Sequence, residues 1–242
     1  MRIGQVLQWG FLALGFMSAS AVAGISLDSS RIVFPYADIS TGQSVGVSSS
    51  AQSATPYLVK AQVLGDVKGQ QTETPFSVTP ALFRLEPGTT NQLRILKTGN
   101  QTLGNNKESI FYLRVMALPA GNGKESEAKT ELGGAITVST GSIIKLFYRP
   151  ADLPMTQRQA MASLQFSRQG TSLTVTNPSP YYVTLTSLTV GGKAVSLSAR
   201  QQNTMLAPFG RMTYTAPNAV GKVTWQAIND FGGTEKFNAT LP

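Results

Sequence analysis

The sequence predicts an all-β protein of two sandwich domains, on three observations. Period-two alternation or β-branched enrichment marks many segments, including residues 31–35, 57–63, 91–96, 109–116 and 172–176. Gly, Pro, Asn or Ser interrupts the chain at intervals of about 8 to 12 residues, which is the spacing of short strands in a sandwich. No stretch sustains a helical period, and the best helical candidate, residues 155–164, is short.

Residues 1–23 have the layout of a cleavable export signal. One positive charge at Arg2 precedes an apolar stretch at residues 9–17, and Ala21 and Ala23 form a small-residue cleavage site. A membrane-spanning helix needs about 20 apolar residues, and serines interrupt this stretch too early. A retained amphipathic anchor is the alternative interpretation.

A proline-flanked break divides the remainder of the chain. Pro150 and Pro154 follow a strongly β-patterned run, and proline ends strands and stiffens linkers. We therefore expect a first domain at residues 24–150 and a second at residues 151–242, each of a size that suits a seven-stranded sandwich. Two domains on a short stiff linker create a cleft, which is a favoured place for binding.

The composition excludes most enzyme classes. The chain has no cysteine and no histidine, so it lacks thiol nucleophiles, the usual general base near neutral pH and the commonest transition-metal ligands. No phosphate loop or nucleophile elbow is present. We predict no catalytic residue, no metal site and no cofactor. The formal net charge is +8, but the basic residues are scattered singly, which does not favour a nucleic-acid partner.

The segment at residues 134–150 is rich in apolar residues and carries two charges, Lys145 and Arg149. Ile136, Val138 and Thr140 share one face by strand alternation. At a sheet edge, such a strand could template an incoming strand; an ordinary internal strand is the alternative. Lys145 falls on the opposite face unless the strand kinks, and the glycine at position 141 is a candidate bulge.

Arg31 opens an apolar strand as a lone charge, just as Lys145 interrupts one. Two cations that converge in a cleft could bind a terminal carboxylate through charge-assisted hydrogen bonds. The alternative is that each is an ordinary solvated strand charge.

Seven motifs together resemble the periplasmic pilus, or fimbrial, chaperones of the chaperone-usher pathway. They occur in the family's order and span the chain beyond residue 23. The motifs are residues 27–34, 79–88, 108–115, 144–150, 177–183, 207–209 and 228–233.

This resemblance implies two immunoglobulin-like domains in a boomerang arrangement, located in the periplasm. It implies fimbrial (pilin) subunits as clients, an outer-membrane usher as the recipient of the complex and a self-capping homodimer as a further partner state. It implies no enzymatic activity and no small-molecule substrate. A secreted immunoglobulin-like adhesive or ligand-binding protein is the alternative, although Trp225, its candidate glycan contact, is expected in the core.

The resemblance also implies specific roles for residues. Arg31 and Lys145 correspond to the pair that anchors the C-terminal carboxylate of the subunit. Ile136, Val138 and Thr140 correspond to the strand that enters the subunit's open groove, and Thr140 stands where a larger aliphatic residue is usual.

A third implied set lies between the domains. Glu108, Arg149 and Asp230 correspond to an interdomain ion network, which is a structural role.

Overall fold

The computed structural model describes residues 24–120, 139–217 and 220–241, so the predicted export signal lies outside the described residues. The first half of the chain is made of strands with a single 3-10 turn, Tyr36–Asp38, among its described residues. These strands are β1 (Ile25–Leu27), β2 (Arg31–Pro35), β3 (Gln43–Ser49), β4 (Tyr57–Leu64), β5 (Phe76–Thr79), β6 (Leu82–Leu85), β7 (Thr90–Lys97), β8 (Ser109–Pro119) and β9 (Thr140–Arg149).

The first domain is a sandwich of two sheets, with strand orders β1-β3-β7-β5 and β2-β9-β8-β4-β6. Alternate residues of each strand enter one shared core, where Phe34, Val59, Leu93 and Leu146 are fully buried. Strand β2 runs parallel to β9, whereas β8 runs antiparallel to β9 on its other side.

The second domain begins with helix α1 (Gln157–Ala162), whose start is fixed by a capping box between Thr156 and Gln159. Eight strands follow among the described residues: β10 (Gln165–Gln169), β11 (Ser172–Thr176), β12 (Val183–Val190), β13 (Lys193–Ala194), β14 (Met205–Leu206), β15 (Arg211–Thr215), β16 (Lys222–Ile228) and β17 (Thr234–Thr240). They form sheets ordered β10-β11-β15 and β13-β12-β16-β17, with β14 added beside β12.

Trp225 lies at the centre of the second core. It is 1% exposed, and its indole Nε1 donates to the carbonyl oxygen of Met161 at 2.9 Å. Its ring packs against Phe166 and Phe237, with centroid distances of 4.8 and 5.8 Å. The predicted core role of Trp225 is therefore confirmed, and the ring is not available as an exposed glycan contact.

The predicted all-β fold is confirmed, and the five segments singled out in the sequence are all strands. The bulge considered at Gly141 is absent. Pairing between β8 and β9 continues from Thr140 to Tyr148 without a shift of register. Alternation therefore holds along β9, and Lys145 lies on the opposite face from Thr140.

Candidate functional site at the domain junction

Arg31 and Lys145 are direct neighbours across two strands. Arg31 is the first residue of β2 and pairs in parallel register with Lys145 of β9. On its other side, Lys145 pairs with Tyr112 of β8. Since Leu146 is fully buried in the core, alternation places Lys145 on the outer face of the sheet. The structure thus brings together the two cations that the sequence analysis proposed to converge.

Both cations are partly buried, so their positive charges are partly desolvated, which disfavours the charged forms. Burial lowers the pKa of Lys145, and the positive charge of Arg31 lowers it further. Burial likewise lowers the pKa of Arg31, although Asp230 and Glu108 act in the opposite direction. Among the described residues, no carboxylate lies within 4.0 Å of either cation. A bound anion would relieve both the repulsion and the desolvation.

The guanidinium of Arg31 is held in place, but not all of its donors are hydrogen-bonded among the described residues. Its Nη1 donates to the carbonyl oxygen of Ile228 at 3.2 Å, and its carbon lies 5.7 Å from the centre of the Phe147 ring. Its Nε is buried and has no hydrogen-bond partner among the described residues. A buried donor without a partner is unfavourable, so the surroundings of the guanidinium leave part of its hydrogen-bonding capacity unused.

Strand β9 is covered along only part of its length. Residues 145–148 lie between β2 and β8, because β2 begins at Arg31, opposite Lys145. Residues 140–144 pair with β8 on one side and with no other strand among the described residues. Their second edge therefore presents unpaired backbone amides and carbonyls.

The proposed groove-filling residues are only partly described. Ile136 and Val138 lie outside the described residues, whereas Thr140 is the first residue of β9 and is partly buried. Thr140 shares the face of Ile144, which packs against the first core.

Glu108, Arg149 and Asp230 form a single ion network between the domains. Arg149 holds Asp230 through two bonds of 2.7 Å, and it contacts Oε1 of Glu108 at 2.8 and 2.9 Å. The second oxygen of Glu108 accepts from the backbone N–H of Tyr182 at 2.8 Å. The network therefore ties β8 and β9 of the first domain to two loops of the second.

Burial sets the electrostatics of this network. The Glu108 side chain is 2% exposed, and burial raises its pKa, against the opposing effects of Arg149 and the Tyr182 N–H. Burial alone would lower the pKa of Arg149, but its hydrogen bonds to Asp230 and the nearby acidic charges outweigh burial and raise it. Arg149 stays charged, as an arginine between two carboxylates should.

Sequence reasoning missed the aromatic lining of the junction. Tyr112 and Lys145 border a hollow of about 520 Å³ that also reaches Met205 of the second domain. Phe147 packs against Tyr182 at 5.6 Å between ring centres. Tyr182 falls within the motif at residues 177–183, which was the available signal, whereas nothing local to Tyr112 shows which strand lies beside it.

Two further searches concern only the residues that the structure describes. Within them, no group of three or more acidic, histidine or cysteine side chains is arranged to hold a metal ion. No described helix has the length and apolar character needed to cross a membrane.

Comparison with protein families matches both halves of the chain. Residues 24–154 match the pili and flagellar-assembly chaperone family, PapD N-terminal domain. Residues 159–239 match the pili assembly chaperone PapD, C-terminal domain. These two matches follow the order of the two sandwiches described above.

Relatives and solved structures agree with this match. The chain is 33% identical over 244 residues to the chaperone protein FocC of Escherichia coli, covering 100% of both proteins. It is 32% identical over 233 residues to the chaperone protein FimC of Escherichia coli K12, covering 96% of this chain and 90% of FimC.

A solved structure of the Salmonella enterica SafA pilin in complex with the SafB chaperone contains a chain with 29% identity to this one. The TM-score is 0.75, and the likeness covers 92% of this chain and 99% of that chain. The shared fold, both domain matches and the full-length relatives point to non-enzymatic chaperones of pilus assembly, and the chain belongs to this PapD family.

Proposed function

We propose that this chain works in the periplasm, where it holds a pilus subunit by the subunit's C-terminal carboxylate and lends it the open edge of β9. The subunit is then passed to an outer-membrane usher. The predicted export signal at residues 1–23 supports the location. The SafA–SafB structure, in which a pilin is bound by a related chaperone, supports the class of client.

The carboxylate is bound between Arg31 and Lys145. A carboxylate supplies the negative charge that the pair lacks and accepts charge-assisted hydrogen bonds from the two cations. The Glu108–Arg149–Asp230 network lies beside this site and keeps the second domain in place behind it. Its role is structural, because it fixes the position of the loop that carries the carbonyl contact of Arg31.

The direction of the client strand follows from where the open edge lies. That edge is formed by residues 140–144, which precede Lys145 in the chain. It lies on the same side of β9 as β2, which pairs with β9 from Lys145 onward. A client strand that ends at Lys145 and lies along this edge must run parallel to β9, in line with β2. This open edge, leading directly to two cations, is the observation that carries the proposal.

Alternating side chains of β9 enter the client's groove. Thr140 shares the face of Ile144, which packs against the first core, and strand alternation in the sequence gives Ile136 and Val138 the same parity as Thr140. In this proposal, the three side chains continue the chaperone's core into that of the subunit. Each buried apolar side chain contributes about 1.5–3 kcal/mol, which supports a stable complex when combined with main-chain bonding. No nucleotide is required, because a better-fitting strand from the next subunit displaces that of the chaperone. When no client is present, two copies of the chain cover each other's open edges.

A matched pair of peptides tests the anchoring. The C-terminal strand of the pilin encoded in the same gene cluster is synthesised with either a free carboxylate or a C-terminal amide, and calorimetry measures its affinity for the chain. The free acid is expected to bind more tightly by about tenfold or more, which corresponds to about 1.4 kcal/mol. In Lys145→Ala, this difference is expected to shrink to less than threefold.

Lys60→Ala is the control variant, since Lys60 is an exposed lysine on the same sheet. It is expected to retain the full difference between acid and amide. Equal binding of the two peptides to the unaltered chain would refute carboxylate anchoring. An acid preference that survives in Lys145→Ala and Arg31→Ala would place the anchor elsewhere.

A further inference from the structure

The turn between β16 and β17 exposes an aromatic ring that the functions assigned so far leave unused. Phe231 is 98% exposed, although phenylalanine is among the residues most often buried. Its neighbour Asp230 belongs to the interdomain network. The turn is therefore fixed to the first domain while the phenylalanine ring projects into solvent.

The backbone of this turn is rigid. Oδ1 of Asn229 accepts from the N–H groups of Phe231 and Gly233 at 3.1 and 2.9 Å, and the backbone N–H of Asn229 donates to Gly233 at 2.8 Å. Gly232 has a φ of +83°, and a Cβ at this position would lie 2.7 Å from Oγ of Ser30. The left-handed backbone favours glycine at this position, and the turn lies close to Ser30 of the first domain. The backbone that carries Phe231 is already ordered before a partner binds, so burying the ring loses little backbone conformational entropy.

The ring stands beside the carboxylate site. Two hollows of about 570 and 350 Å³ are each bordered by Arg31, Asp230 and Phe231. The larger one follows residues 27–31, the stretch that leads into β2. Arg31, one of the two proposed anchors, borders both hollows, whereas Lys145 and residues 140–144 border neither.

We propose that Phe231 is a contact of the second domain with the last residues of the client strand, packing on an apolar or aromatic side chain next to the bound carboxylate. This inference rests on the proposed function, because the occupant is the strand that ends between Arg31 and Lys145. Arg31, the proposed anchor of that strand, borders the larger hollow together with Phe231, and this continuity with the anchor favours the client over a second copy of the chain. Covering the ring removes apolar area from water without displacing any other contact.

Calorimetry with the free-acid pilin peptide tests this contact. Phe231→Ala is expected to weaken binding by about tenfold, as loss of a central aromatic anchor does. Phe231→Tyr is expected to stay within about threefold of the unaltered chain, because it keeps the ring. Phe209→Ala is the control, since Phe209 is a phenylalanine of the same domain that is 56% exposed on another turn, and it is expected to leave affinity unchanged.

The position of the contact on the peptide is tested by shortening the last side chains. Replacing the final two residues of the peptide with glycine is expected to abolish the difference between Phe231→Ala and the unaltered chain, because the ring then has nothing to pack on. The free-acid preference should remain, since it depends on Lys145.

Two results would overturn the inference while leaving carboxylate anchoring intact. One is unchanged peptide affinity in Phe231→Ala, with the acid preference still lost in Lys145→Ala. The other is that Phe231→Ala dissociates a homodimer of the free chain, as measured by sedimentation, without lowering the affinity for the peptide. That result would assign the ring to self-association. Loss of the acid preference in the unaltered chain would instead refute the proposed function itself.

Discussion

Replacing Arg149 with alanine is expected to destabilise the domain junction far more than removing a surface ion pair does. Arg149 supplies both of the short contacts to Oε1 of Glu108, at 2.8 and 2.9 Å. Without it, the carboxylate of Glu108 keeps only the backbone N–H of Tyr182 as a partner among the described residues, while its side chain remains 2% exposed. A buried charge is then left almost unpaired.

The size of the effect follows from this burial. Removing one partner of a buried ion pair costs about 3–5 kcal/mol, because the remaining charge stays desolvated. Asp230 adds little to this cost, since its side chain is 29% exposed and water can replace the lost bonds. For a denaturation slope of about 1–3 kcal/mol per molar urea, the expected shift of the midpoint is at least about 1 M.

Urea denaturation measures this shift in both domains. Trp225, the only tryptophan beyond residue 23, reports on the second domain by fluorescence, and circular dichroism follows the whole chain. Arg158→Ala is the control, because the contact of Arg158 with Glu235 at 3.0 Å is exposed and is worth about 0–1 kcal/mol. A loss of stability in Arg149→Ala that is no greater than the loss in Arg158→Ala would refute the reasoning.

Two further predictions concern pH and loop stability. Affinity for the free-acid peptide is expected to fall as the pH rises through the pKa of Lys145, which lies below its ordinary value of 10.5, because only the ammonium form attracts a carboxylate. Calorimetry from about pH 7 to about pH 10 measures this fall in affinity. In Lys145→Arg, the affinity should depend much less on pH. An affinity that does not change with pH in the unaltered chain would contradict the prediction. Asn177→Ala is expected to lower the free energy of unfolding by about 2–4 kcal/mol, since the fully buried Asn177 amide donates to the carbonyls of Tyr181 and Ala207 at 2.7 and 2.9 Å. Urea denaturation measures it, and a loss below about 0.5 kcal/mol would count against this role.

The strands were predictable because a half-buried strand alternates between core and solvent. Residues 31–35 and 172–176 coincide with β2 and β11, and the alternation continues through their burial. The helix α1 carries a local signal too, in the capping pair Thr156 and Gln159. Such features are readable because their causes lie within a few residues of the chain.

The geometry of the site was not predictable from local pattern, because it depends on which strands become neighbours. Arg31 and Lys145 are 114 positions apart in the sequence and meet only through the parallel pairing of β2 with β9. Their joint role was inferred from family resemblance, since pattern alone favoured solvated strand charges. Tyr112 was missed for the same reason. The 98% exposure of Phe231 was not predicted either, since phenylalanine is among the residues most often buried.

Amide hydrogen exchange along β9 tests the central claim most directly. In residues 140–144, the amides that point away from β8 have no partner strand among the described residues, so in the chain diluted to a monomer they should exchange rapidly, and markedly more slowly once a pilin is bound. Residues 145–148, already paired on both sides, should change little. Unchanged exchange across residues 140–144 in a purified, saturated complex would contradict the lending of this edge to the subunit.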